Sequence, residues 1–120
     1  MRGVLKAIAV ISATFLSACS TDISRLDQGV AMLADRQYAE AQTHFEAMLA
    51  EDAGDPYVNL NLGVASANLG DKVAAARYYR TAIANGQSAR IETTVQGGEQ
   101  SQQSTTVAAL AARNLELLGS

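Results

Sequence analysis

Displaced by 34 residues, the chain falls into register with itself between Asp22 and Gly86. Gly29 then meets Gly63, Val30 meets Val64, Ala31 meets Ala65, Ala41 meets Ala75, Phe45 meets Tyr79 and Leu49 meets Ile83. The matches fall on small and large apolar positions, where two copies of one packing unit must agree. A fixed period of this length means a supersecondary unit used twice, each copy burying a face that it cannot bury alone. Within each copy the apolar spacing is helical. It predicts four helices, at about 22–34, 37–52, 56–69 and 71–85. Asp35 and Gly70-Asp71 mark the turns inside each helical pair, and Ala53-Gly54-Asp55 marks the turn between pairs. Asp55 can cap the third helix, and Pro56 suits its first turn, where no backbone N–H is needed.

The pattern resembles the tetratricopeptide repeat, a helix–turn–helix unit of 34 residues. The second copy carries Leu62-Gly63, Gly70, Ala75, Tyr79 and Ala82 at the family's positions. The first keeps Gly29, Tyr38, Ala41, Phe45 and Leu49. It departs at Gln28, where a leucine is expected, and at Met48, opposite Ala82. Small residues let paired helices approach, and the aromatic fills the gap to the next pair. The implied fold is all-α: a two-repeat array, 22–55 and 56–89, followed by further elements within 22–120.

Those further elements are of two kinds. Residues 87–106 are rich in Gln, Ser, Thr and Gly, as a flexible loop would be. Yet Ile91, Thr93 and Val95 alternate with Glu92 and Thr94, Gly97-Gly98 is a turn dipeptide, and threonines resume at Thr105 and Thr106. Such an insertion is either a loop or a short β-hairpin at about 90–106. A hairpin would need Ile91 and Val95 packed on the helices, because two strands alone are marginal in water. Residues 107–118 are helical again: Thr106 is a candidate cap, and Val107, Leu110, Ala111, Asn114, Leu117 and Leu118 fall near one face. Two repeats leave outer faces open, so this helix is expected to cap the array.

The amino terminus has a different character. Arg2 and Lys6 precede an apolar run, Ala7 to Leu16, and small residues lead to Cys19. A basic start, an apolar stretch of about 7–15 residues and a small-residue exit describe an export signal, and the run is shorter than the roughly 20 residues a spanning helix needs. Leu16-Ser17-Ala18-Cys19 resembles the lipobox of bacterial lipoproteins. That resemblance implies a signal peptide over 1–18, lipidation of Cys19 (a diacylglyceryl thioether with an added acyl chain such as palmitate), and a short tether over 19–21. Ser20, rather than aspartate, after the cysteine implies an outer-membrane lipoprotein facing the periplasm. Cys19 is the only cysteine, so no internal disulfide can form.

Without Arg2 and Lys6, seven basic residues face twelve acidic ones, a net charge of −5 that argues against nucleic acid as a partner. His44 is the only histidine and reads as a surface or half-buried helix residue. No cluster of histidines and cysteines offers a metal site, no nucleophile–base arrangement can be assembled, and Gly97-Gly98 lacks the lysine of a phosphate loop. No catalytic residue, metal or cofactor is expected, and the chain reads as a non-enzyme. By the family resemblance, a groove lined by the first helix of each pair would present Tyr57, Leu60, Asn61, Val64 and Asn68 to an extended peptide. The alternative for these residues is that the chain's own elements fill the groove. The expected function is a protein-interaction adaptor or assembly factor of the cell envelope, such as pilus or secretion machinery. A ligand-binding or sensing lipoprotein, for instance for peptidoglycan fragments, is the rival, and it would place a pocket between the insertion and the last helix.

Overall fold

The computed structural model describes residues 20–93 and 103–119. The leader, Cys19, Val95 and the Gly97-Gly98 turn lie outside those residues. Five helices and one small antiparallel sheet follow in order: α1 (Ser20–Ala34), α2 (Tyr38–Glu51), α3 (Pro56–Asn68), α4 (Lys72–Asn85), β1 (Arg90–Thr93), β2 (Gln103–Thr106) and α5 (Val107–Leu118). Each of the four repeat helices lies within two residues of its expected bounds. The helix over α1 reaches back to Ser20, into the span expected to be tether.

Each repeat is held shut by a glycine facing an aromatic ring. A Cβ on Gly29 would lie 2.5 Å from Cε1 of Phe45, and a Cβ on Gly63 would lie 2.5 Å from Cδ1 of Tyr79. No real side chain tolerates such a distance, so both rings use space that only glycine leaves. Phe45 and Tyr79 are themselves buried.

The turns inside the two repeats also match, bond for bond. In the second, Asp71 N donates to Ser66 O (2.9 Å) and Gly70 N to Ala67 O (3.2 Å). In the first, Gln37 N donates to Met32 O (2.8 Å) and Arg36 N to Leu33 O (3.1 Å). Both are Schellman closures, which need one residue in the left-handed region. In the second repeat that residue is Gly70 (φ +86°); in the first it is Arg36 (φ +63°), beside Asp35 in the expected turn.

Between repeats, the Asp55 carboxylate accepts from Tyr57 N (2.9 Å) and Val58 N (3.3 Å), with Pro56 at the start of α3, as expected. The turn is fastened by two asparagines. Asn59 Nδ2 donates to the carbonyls of Ala53 (3.1 Å) and Asp55 (2.8 Å), and Asn85 Nδ2 donates to that of Gly54 (2.9 Å).

Residues 90–93 and 103–106 form the two antiparallel strands expected of the hairpin alternative. β1 pairs with β2 in the register Arg90↔Thr106 to Thr93↔Gln103. Ile91 is fully buried and joins the helical core. The base of the hairpin is closed by the helices it separates: Val107 N donates to Ala89 O (2.8 Å) and Ala108 N to Gly86 O (3.1 Å). Thr106 caps α5 through its hydroxyl, which accepts from Ala109 N.

Helix α5 packs on α4 and α3, as α3 packs on α2 and α1 one unit earlier. It therefore takes the place of the first helix of a third unit. Its buried face is rotated from the expected stripe, gaining Ala108 and Leu115 and losing Leu117. Val107, Ala108, Ala111 and Asn114 are buried and Leu115 and Leu118 are half-buried, while Leu117 is 60% exposed. Four residues at helical spacing suffice to define that face, and Leu117 lies three positions past Asn114, rotated beyond its edge.

Candidate interaction surface

The five residues of the expected groove sit on α3, and α3 is enclosed. It contacts α1, α2, α4 and α5, and its residues 58–66 are all buried. Leu60, Asn61 and Val64 are at most 1% exposed, so they are core rather than display. Tyr57 is half-buried, and its hydroxyl donates to the carbonyl of Arg90 (3.0 Å), tying α3 to the hairpin. Burial raises the pKa of this phenol, and the nearby Asp55 charge adds to the shift. The two asparagines spend amide donors on their own helix: Asn61 Nδ2 on Tyr57 O (2.9 Å) and Asn68 Nδ2 on Val64 O (2.7 Å). An extended peptide cannot reach the middle of this face without displacing the chain's own elements. Sequence pattern alone could not reveal this, because it assigns residues to a helix face without saying what covers that face.

Tyr79 of α4 is buried beside Asn114 of α5: burial pushes its pKa far above the usual tyrosine range, and the neighbouring Asn114 amide offsets this only slightly. Asn114 Nδ2, Asn61 Oδ1 and Ser66 Oγ are buried without a hydrogen-bond partner. Such groups cost about 1–3 kcal/mol each unless water reaches them, and they mark the α3–α5 interior as less than fully satisfied.

His44 is half-buried, and its Nε2 lies 2.6 Å from the carbonyl oxygen of Arg25. A carbonyl can only accept, so Nε2 carries the proton and donates. This bond and the Arg25–Glu51 ion pair fasten α1 to α2. Among the described residues no group of three or more His, Cys, Asp or Glu side chains is arranged to hold a metal ion.

Charge and apolar exposure divide the molecule unevenly. Residues 22–55 carry eight acidic and two basic side chains, and residues 56–119 carry four acidic and five basic. Among the described residues the large exposed apolar ones, Leu69, Val73 and Leu117, all lie in the second part. There a groove of about 490 Å³ runs between α4 and the end of α5, lined by Lys72, Val73, Ala76, Arg80, Leu115, Leu118 and Gly119. It is on the α4 side of α5, away from the place between insertion and last helix that a small-ligand site was expected to occupy. No described helix is long and apolar enough to cross a membrane.

Comparison with known proteins adds one finding. A family model described as tetratricopeptide repeat matches residues 32–96, spanning the second helix of the first repeat and the whole of the second. No curated protein and no solved structure matches.

Proposed function

Because the chain belongs to the tetratricopeptide repeat family, we propose that it is a non-enzymatic adaptor, lipid-anchored through Cys19 to a bacterial outer membrane, that holds a protein partner on its periplasmic side. The observation that carries the adaptor reading is the duplicated helical hairpin, matched by the family model across most of its length. Arrays of this kind offer extended helix surfaces rather than a reaction centre. The anchor reading is supported by the basic start, the apolar run to Leu16, and Leu16-Ser17-Ala18-Cys19. Acyl chains on one cysteine give stable attachment, since each buried methylene contributes about 0.8 kcal/mol. With α1 beginning at Ser20, a lipidated Cys19 would join the membrane directly to the first helix, with no long spacer. Ser20 favours the outer membrane. Among envelope machines, pilus or secretion assembly is our preferred setting.

Metabolic labelling with a palmitate analogue tests the anchor. The parent chain is expected to take up label and fractionate with outer membranes, and Cys19→Ser is expected to lose both. Unchanged membrane association of Cys19→Ser would end the lipoprotein reading. Crosslinking in intact envelopes tests the adaptor: one recurrent protein partner supports it, and recovery of the chain alone under saturating crosslinker counts against it.

A further inference from the structure

Among the described residues, the groove between α4 and α5 combines exposed apolar side chains with two basic ones. Its floor is Val73, Ala76, Leu115 and Leu118, and Val73 is 79% exposed. Its rim carries Lys72 and Arg80, both exposed and neither in an ion pair with another described residue. Two carboxylates lie nearby on these elements. Asp71 is committed to capping α4 through Ala74 N (3.0 Å), and Glu116 is on α5 beside Leu115. Lys72 also stands at the amino-terminal end of α4, where the helix dipole adds positive potential.

The packing says what shape would fit. Helices α4 and α5 pack on each other and form the groove's two walls. From Lys72 to Arg80 the groove follows two turns of α4, about 12 Å at 1.5 Å per residue. We propose that this groove binds a short amphipathic helix of a partner protein, its apolar stripe seated on Val73, Ala76, Leu115 and Leu118 and its flanking carboxylates paired with Lys72 and Arg80. Helix-in-groove recognition reads anchors at i, i+3, i+4 and i+7, which suits a floor of this length. A second copy of the chain is the poorer occupant. Its acidic part supplies the charge, but the large exposed apolar residues that would fill the floor are in the other half.

This proposal deepens the adaptor reading by naming the partner's chemistry, and it is tested without the membrane. The full chain carrying Cys19→Ser is titrated against two fluorescent helical peptides of roughly 14 residues, long enough for a marginal helix. Both have leucines at i, i+3, i+4 and i+7; one is flanked by glutamates and the other by lysines. The glutamate peptide is expected to bind at least about tenfold more tightly, since like charges across a rim oppose binding. Lys72→Glu with Arg80→Glu is expected to reverse the preference, and Val73→Ser to weaken both peptides. All three positions are exposed, so the fold is kept, and circular dichroism checks this. Equal binding of the two peptides, or a preference unmoved by the charge reversal, overturns the proposal. Concentration-dependent dimers that Val73→Ser abolishes would assign the face to a second copy and overturn it as well. If the charge-reversed chain still crosslinks to the same envelope protein as its parent, this site fails while the adaptor reading stands.

Discussion

The two repeats share one backbone and differ in what surrounds it. Their turns close with the same hydrogen bonds 34 residues apart, and the same glycine–aromatic contact joins their helices. Yet α1 and α3, at equivalent positions, have very different surfaces. Residues 58–66 of α3 are buried on every side. In α1, Leu26, Gly29, Val30 and Leu33 are buried, while Asp27, Gln28 and Ala31 face solvent. Gln28 departs from the expected leucine because no described helix packs outside α1, whereas its counterpart Leu62 is fully buried beneath neighbours. The departure thus marks the edge of the array rather than decay of the repeat. A helix surrounded on all faces becomes apolar all round, and an edge helix keeps a stripe.

Exchanging those two residues breaks the comparison most sharply. Leu62→Gln removes a buried leucine worth about 1.5–3 kcal/mol and adds an amide without partners at about 1–3 kcal/mol. A loss of about 4 kcal/mol in urea unfolding is expected. Gln28→Leu, on the solvent side of α1, is expected to change stability by no more than about 0.5 kcal/mol. Similar effects at the two sites would mean that α1 is covered as α3 is.

The turns invite the opposite experiment, making the first repeat more like the second. Arg36 holds a left-handed conformation that Gly70 adopts without a Cβ penalty. Gln37 leaves α2 without a side-chain cap, whereas Asp71 caps α4. Both cap residues have similar backbone angles, φ −86° and −90°, so an aspartate at 37 can reach the same N–H. Arg36→Gly with Gln37→Asp is therefore expected to stabilise the chain by about 2 kcal/mol, roughly 1 from each change. The reverse pair, Gly70→Arg with Asp71→Gln, is expected to cost about the same. A neutral first pair would show that Arg36 is held by contacts beyond its backbone.

How much was legible in the sequence follows from the same contrast. The period of 34, the helix bounds, the Asp55-Pro56 start and the glycine–aromatic pairs were legible, because each is a local or repeated pattern. The hairpin was half-legible. Ile91 announced a strand that could pack, but the Gln103–Thr106 strand has no apolar alternation and is defined by its pairing with β1. Leu60, Asn61 and Val64 were placed on the correct helix, but their enclosure comes from α1, α2, α4 and α5 packed together around it, which no local pattern states. The α4–α5 groove was not anticipated, for it joins residues 72–80 to 115–119 and no local pattern connects them. Leu117 was misplaced by its spacing alone.

The finest difference between the repeats is a single oxygen. Phe45 and Tyr79 fill equivalent gaps, but only Tyr79 carries a hydroxyl, and it meets Asn114 of α5. Tyr79→Phe should make the second repeat resemble the first, changing stability by no more than about 1 kcal/mol at neutral pH, since Asn114 Nδ2 is already without a hydrogen-bond partner. The pH dependence distinguishes a buried hydroxyl from simple packing. Burial raises the folded-state pKa of Tyr79 above its ordinary value of 10.0, so the folded chain holds its proton longer than the unfolded chain does. The native state then binds more protons at alkaline pH, and stability must fall as pH rises. This contribution is complete below about pH 10 and is lost as pH climbs from there toward the folded value. Tyr57 is shifted in the same direction and persists in the variant, so Tyr79→Phe should flatten the alkaline decline without abolishing it. Phe45 contributes nothing to that decline. Parallel urea titrations at neutral pH and above pH 10 measure the difference; identical alkaline slopes in parent and variant would place the Tyr79 hydroxyl in contact with solvent rather than buried against α5.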